Sequence, residues 1–348
     1  MKPKPQKIKI KKIDDAILRL LAERIHISRL LGASGGKISS SDIAEDNAHL
    51  LHLLKRKEIP EAALKNIYRE IFSVSRAAQE SLTVACLGPE GSYSHQAAME
   101  RFGSQARYLF CRSIPEVFAA ISREEADTGM APVENSIEGG VNAALDCLVH
   151  TDLVIQGEIH LRIHNLLCAS PKHGTIKRIY SHPQPLGQCR QWLLAHYPNI
   201  EQIEVASTSE GARRVQKDEH AAAIVSPLSA QIYKLKILGK NISDAMDNTT
   251  RFLILGEYPA KRSVQCKTSL IFAVAHEVGA LSAILNIFAS HGLNLQKIES
   301  RPAPHKAWEY LFFVDVAGHF QDSAFAKALT QIRRKTLWLK ILGSYPTY

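Results

Sequence analysis

Thr83-Val84-Ala85-Cys86-Leu87 runs into Gly88-Pro89-Glu90-Gly91-Ser92-Tyr93-Ser94-His95 and then into a helical stretch from Gln96. A short apolar run, a Gly-rich turn and a helix start make a strand-turn-helix unit, and that unit recurs. Met130-Ala131-Pro132-Val133 feeds Glu134-Asn135-Ser136-Ile137-Glu138-Gly139-Gly140-Val141-Asn142. Residues 176–180 lead to Ser181-His182-Pro183-Gln184, residues 203–206 end in Ser207-Thr208-Ser209-Glu210-Gly211, and residues 222–225 end in Ser226-Pro227. Repetition of this unit predicts an α/β fold with polar groups at the carboxyl ends of parallel strands, where open sheets bind ligands. The break near Ala169-Ser170-Pro171 divides residues 83–262 into two lobes with a cleft between them.

Further along, Asn248-Thr249-Thr250-Arg251-Phe252 precedes the apolar run Leu253-Ile254-Leu255. A hydroxyl beside a guanidinium at the mouth of a buried strand suits an anionic substrate with a departing group. Arg251 is expected to clamp a carboxylate in bidentate fashion, and Thr250 to hydrogen-bond the leaving group. Ser94, Asn135, Ser136, Ser181, Thr208, Ser209 and Asn248 are neutral groups suited to orienting the substrate, and Glu134 is the candidate carboxylic acid. His95 and His182 sit in helix-start and X-Pro contexts that favour structural roles.

Outward from this centre the pattern changes on both sides. In residues 1–82, Ile10, Ile13, Ile17, Leu20, Leu21, Ile27 and Leu31 recur at three and four, predicting a long amphipathic helix that ends at Gly32. A second helical pattern runs from Ser41 or Asp42 to Leu54, and Pro60-Glu61 opens a third to about Ser81. Three helices of this size make a thin core, so pairing with a second copy is expected. In residues 263–348, strand, helix, strand, strand, helix, strand follow in ferredoxin-like order. Gly279-Ala280-Leu281-Ser282 stands at a helix start there and Glu299-Ser300-Arg301-Pro302 after a strand, and small residues at a helix N-terminus admit a ligand carboxylate.

The chain has 348 residues, 45% of them hydrophobic, which predicts two or three domains with cores of their own. Residues 1–80 carry 16 Lys and Arg against 10 Asp and Glu, most of the net +9. Lys2, Lys4, Lys7, Lys9, Lys11 and Lys12 crowd one end with no aromatic among them, so nucleic acid is not an expected partner. No apolar run approaches a membrane span and no leader-like region follows the first charges, so the expected location is cytoplasmic, without a membrane partner. Six scattered cysteines make neither a CxxC pair nor a ligand set, and no metal or cofactor is expected.

Five stretches, Gly88 to Ser94, Pro132 to Ser136, Tyr180 to Gln184, Ser207 to Ser209 and Asn248 to Phe252, resemble in order and separation the motifs of prephenate dehydratase. The resemblance implies a catalytic domain of two lobes like a periplasmic binding protein, acting on prephenate in phenylalanine biosynthesis. It implies a C-terminal ACT domain binding phenylalanine as feedback effector through Gly279 to Ser282 and Glu299 to Pro302. The first 82 residues resemble the all-helical chorismate mutase domain of the bifunctional enzymes, an intertwined dimer. Arg24, Ser75 and Gln79 match its site, Lys7 stands for the early cation, Lys37 reaches the ether-oxygen position only if the loop shifts by two, and Asp46-Asn47 replace an Arg-Glu pair. An anion beside a dianionic substrate costs about 4 kcal/mol per close pair, so weak or no mutase activity is expected. A homodimer or dimer of dimers follows from the resemblance. Arogenate dehydratase and a non-catalytic amino-acid sensor are the competing readings.

Overall fold

The computed structural model describes residues 5–34, 40–55, 58–245, 247–263, 265–302 and 310–347. The chain forms two compact units, residues 1–84 with 99–107, and residues 85–98 with 108–348.

In the first unit α1 (Pro5–Ala33), α2 (Ser40–Leu54) and α3 (Glu61–Gln79) pack together. The helix α1 starts earlier than its apolar periodicity, inside the lysine-rich segment. Gly32 lies against α3, where an added Cβ would collide with the Gln79 carbonyl oxygen. Ser28 is the buried residue of α1, while Ile13, Ile17, Leu20 and Ile27 are at least half exposed. The stripe that specifies the helix is therefore largely uncovered in one copy of the chain.

Next along the chain come β1 (Thr83–Leu87), α4 (Tyr93–Phe102), β2 (Arg107–Cys111), α5 (Ile114–Ser122), β3 (Thr128–Asn135), β4 (Gly139–Gly140), α6 (Asn142–His150) and β5 (Val154–Arg162). There follow β6 (Leu166–Ala169), β7 (Arg178–Ser181), α7 (Pro183–Gln188), α8 (Arg190–His196), β8 (Glu201–Glu204), α9 (Thr208–Val215), β9 (Ala221–Val225), α10 (Pro227–Ile232) and β10 (Lys236–Gly239). The strand β11 (Thr249–Gly256) then returns to the first sheet, giving the order β2-β1-β3-β11-β5, while the second sheet runs β10-β6-β9-β7-β8. The two expected lobes are these two sheets with their helices.

The expectation of parallel strands holds only in part. Strand β7 pairs parallel with β8 and β9, but β11 is antiparallel to both β3 and β5. Asn248 to Phe252 is accordingly the start of a central strand, and antiparallel pairing sets Thr250 opposite Asn135 at the end of β3.

The last elements are β12 (Cys266–Ala273), α11 (Ala280–Ser290), β13 (Leu295–Pro302), β14 (Tyr310–Ala317), α12 (Ser323–Arg333) and β15 (Trp338–Pro346). Their sheet, ordered β13-β14-β12-β15, is the expected ferredoxin-like arrangement. Strand alternation divides its two faces. Leu270, Phe272, Val314 and Val316 pack on Ile284, Phe288 and Phe325 of the helices. Ile271, Ala273, Phe313 and Tyr345 share a core with Val133, Ile155, Leu253 and Leu255 of the first sheet.

Candidate active site

A cleft of about 480 Å³ opens between the two lobes. Ser92, Tyr93 and Ser94 line it from the start of α4; Asn135, Glu138, Gly139 and Gly140 from the β3–β4 turn; and His182, Gln184 and Gln188 from α7. Ser207 and Thr208 contribute from the start of α9, and Asn248, Thr250 and Phe252 from β11. A strand points successive side chains to opposite faces, which is why residues 248, 250 and 252 enter the cleft together.

These groups are joined by hydrogen bonds. The Asn135 amide donates to Asn248 Oδ1 at 2.7 Å and to Thr250 Oγ1 at 2.9 Å. Asn248 Nδ2 donates to Gln188 Oε1 at 3.1 Å, and Gln188 Nε2 to Glu138 Oε1 at 3.0 Å. From the other side, Tyr93 Oη donates to Asn165 Oδ1 at 2.7 Å. Burial, with a smaller contribution from Cys189, raises the Tyr93 phenol and keeps it protonated. Because Asn135 supplies a proton to the Thr250 oxygen, the threonine's own proton is available to a group in the cleft.

Among the described residues that line the cleft there is no Lys or Arg. Favourable potential for an anion comes instead from helix starts, at α4 and α9, where backbone N–H groups lack intrahelical partners.

Five of the expected cleft residues are there: Ser94, Asn135, Thr208, Asn248 and Thr250. The others are not, and Arg251 is the main correction. By strand alternation its guanidinium lies on the opposite face of β11, with Nε 2.8 Å from Glu158, Nη1 2.7 Å from Asp315 and Nη2 3.0 Å from the Tyr345 hydroxyl. Glu134 shares that face and pairs with Lys297 at 2.8 Å. Ser136 staples the end of β3 to the start of β11, donating to Asp247 O and accepting from Thr249 N. The buried Ser181 hydroxyl donates to Ile224 O, and Ser209 meets Ser229 at 3.0 Å. Gln188, Tyr93, Glu138 and Phe252 were not singled out from the sequence. The period of two along β11 could have placed Phe252 beside Thr250, whereas Gln188 and Tyr93 needed the lobes assembled.

Burial of Glu158, on β5 at the far side of β11 from Glu134, opposes ionisation of its carboxyl. Its bonds to His160, Arg251 and Lys267 outweigh that and hold the carboxyl well below the usual range.

His95 serves the turn, as its context implied. Its Nδ1 accepts from Gly91 N at 3.0 Å and its ring packs edge-on to Tyr108 and Phe110. Burial lowers the imidazole to about 4. The unfolded chain, whose histidine titrates near 6.5, then binds more protons than the folded one, so stability rises with pH across this window. Unfolding followed between pH 7 and 4 should lose on the order of 2 kcal/mol through this group, and His95→Asn should flatten that part of the profile. An unchanged profile in the variant would show that His95 is not the titrating group.

In the ferredoxin-like domain Gly279 caps α11 with φ 84°, a conformation that glycine adopts without strain. Along β13 the residues alternate. Lys297, Glu299 and Arg301 are partly covered by the first lobe, and Ile298, Ser300 and Pro302 are exposed. Arg301 Nη1 donates to Asn142 O at 2.7 Å and pairs with Asp146 at 3.1 Å, while the Glu299 carboxylate rests on Gly140. Two residues expected to hold an effector thus face the cleft wall.

In the first unit, Arg24 donates to Ser75 and to Ile71 O, and lies 3.7 Å from Asp46. Asp46 also pairs with Arg76 at 2.6 Å. Burial raises the Asp46 carboxyl, against the pull of Arg76 and Arg24. Lys7 is exposed on α1, and Lys37 falls outside the described residues.

A two-lobed domain like a periplasmic binding protein, carrying an ACT domain and preceded by helices, is the class that this fold and cleft define. The prephenate dehydratase family matches residues 84–260 and the ACT domain family residues 268–334. A bifunctional chorismate mutase/prephenate dehydratase of Aquifex aeolicus is 42% identical over 97% of this chain and 96% of its own. The structure of an Arthrobacter aurescens prephenate dehydratase in complex with L-Phe covers 76% of this chain and 90% of its own, at 34% identity and TM-score 0.71. A quorum-quenching acylase, GqqA, covers 76% and 98% at 29% identity and TM-score 0.69. The chain belongs to the bifunctional chorismate mutase/prephenate dehydratase family.

Proposed function

We propose that the cleft converts prephenate to phenylpyruvate, water and carbon dioxide, with Thr250 as the residue that hydrogen-bonds the departing ring hydroxyl. The observation that carries this reading is the cleft face, without Lys or Arg among its described residues, on which Asn135 bonds Thr250 and is itself held by Asn248 and, through it, Gln188. The substrate's ring carboxylate must leave as carbon dioxide while the hydroxyl leaves with a proton as water, and aromatisation drives both. A cation paired with that carboxylate would stabilise the ground state and have to be undone; neutral donors and helix starts bind it without that cost. A threonine hydroxyl is too weak an acid to protonate the leaving group fully, so its role is a hydrogen bond that strengthens as charge develops.

Phenylalanine is the feedback effector, bound through the ACT domain near Gly279 to Ser282 and the exposed Ser300 and Pro302. The N-terminal unit is proposed to be chorismate mutase-like with weak or no activity, because Asp46 already engages the Arg24 that a dianion would need. Its uncovered α1 stripe supports the homodimer. We place the enzyme in the cytoplasm; among the described residues no helix is long and apolar enough to cross a membrane.

The specific observation favouring arogenate is the Glu138 carboxylate in the cleft, which would pair with its ammonium group. Acyl transfer has less support, since Ser92 donates to Leu87 O and Ser207 caps Glu210 N, while the His182 ring caps its own helix. Purified full-length protein offered prephenate, arogenate and chorismate separately decides among these. Prephenate should be consumed at an enzymic rate and chorismate at least about 100-fold more slowly, the penalty expected for one misplaced charge. Ordinary chorismate turnover would refute the mutase reading, and failure to consume prephenate would refute the main one.

A further inference from the structure

Thr250 and Arg251 are consecutive on β11, one facing the cleft and the other the ACT sheet. Arg251 is held by acceptors from two domains, Glu158 on β5 and Asp315 on β14. Lys267 on β12 closes the cluster at 2.7 Å from Glu158 and 3.6 Å from Asp315. The four side chains are each at most 10% exposed and their charges sum to zero. We infer that this buried ion cluster is the connection through which phenylalanine binding on the ACT domain reaches Thr250. The inference rests on the reading of the cleft as a prephenate site under phenylalanine control.

The contact between the two sheets has an apolar core, whose non-directional attraction assigns no particular partner to any one side chain. Paired ions in a low-dielectric setting behave differently. A small shear leaves a charge without its partner, so only discrete arrangements are stable. A displaced ACT sheet therefore carries Arg251, and with it the adjacent Thr250. The motif strand β13 is linked to the cluster in two ways. Its Lys297 lies beside Asp315 in the β13–β14 register, and it pairs with Glu134, which lies opposite Arg251 in the β3–β11 register. Both strands that present Asn135 and Thr250 are thus gripped from the regulatory side. Arg251 is a positioning residue here, acting through the backbone of Thr250 rather than on the substrate.

The test uses full-length protein with three readouts: prephenate turnover, phenylalanine binding by calorimetry, and phenylalanine inhibition. Combined Lys267→Met and Asp315→Asn leaves the Arg251–Glu158 pair, so the buried charge remains zero. This variant should turn over prephenate within about threefold of the parent and bind phenylalanine, yet need at least about tenfold more of it for half inhibition. Tyr345→Phe removes only a hydroxyl, the one that accepts from Arg251 and also meets Ser269 and Glu158, and should shift inhibition the same way, by about threefold. Should the double variant fail to fold, Tyr345→Phe decides alone. Parent-like inhibition with phenylalanine bound overturns the inference and leaves the dehydratase reading intact. Loss of phenylalanine binding in the variants also overturns it, because the cluster would then belong to the effector site. A parent protein that does not consume prephenate refutes the underlying reading instead.

Discussion

Thr250→Val should lower prephenate turnover by about 100- to 1000-fold while changing KM by less than about threefold, the pattern of a hydrogen bond made mainly in the transition state. Valine keeps the volume and branching of threonine, so β11 keeps its packing and the loss is confined to the hydroxyl. The Asn135 amide that donates to Thr250 Oγ1 loses one acceptor but retains Asn248 Oδ1, which limits the structural cost. Steady-state kinetics with prephenate, alongside an unfolding curve, separates the two effects. Turnover within tenfold of the parent would mean that another group assists the departing hydroxyl, with Glu138 the next to test.

Arg251→Met should act first on stability. The substitution leaves Glu158 and Asp315 facing Lys267 alone, an uncompensated buried negative charge, at a cost of about 3–5 kcal/mol. Chemical denaturation should show the loss directly, and activity should fall with the folded fraction and with the displacement of β11. A carboxylate clamp would behave otherwise, with KM for prephenate rising by orders of magnitude at unchanged stability. That second pattern would put Arg251 back into substrate binding and contradict the strand orientation found here.

Much of the architecture was legible from local pattern. Apolar runs with hydroxyl- or Gly-bearing turns located β1, β3 and β9, periodicity located α1, and the ferredoxin-like order of the last domain could be read from residues 263–348. The site was only half legible. Ser94, Asn135, Thr208, Asn248 and Thr250 are in the cleft as expected, because polar groups at strand ends and helix starts have few other places to go. Ser181 and Ser209 look identical in sequence, yet their hydroxyls are spent on Ile224 O and Ser229 in the second lobe.

By itself the sequence determined most of the elements and the neutral character of the candidate cleft groups, since these depend on spacing and on side-chain chemistry. Only the tertiary structure decided which of two adjacent residues serves the substrate. Thr250 and Arg251 alternate across one strand, and both faces of that strand are buried: one by the cleft, the other by the ACT sheet. A charge directed toward a second domain cannot be told from a charge directed toward a ligand until that domain is in place. Asp315 and Lys267, 64 and 16 residues along the chain from Arg251 respectively, are what turned an expected clamp into a link between domains.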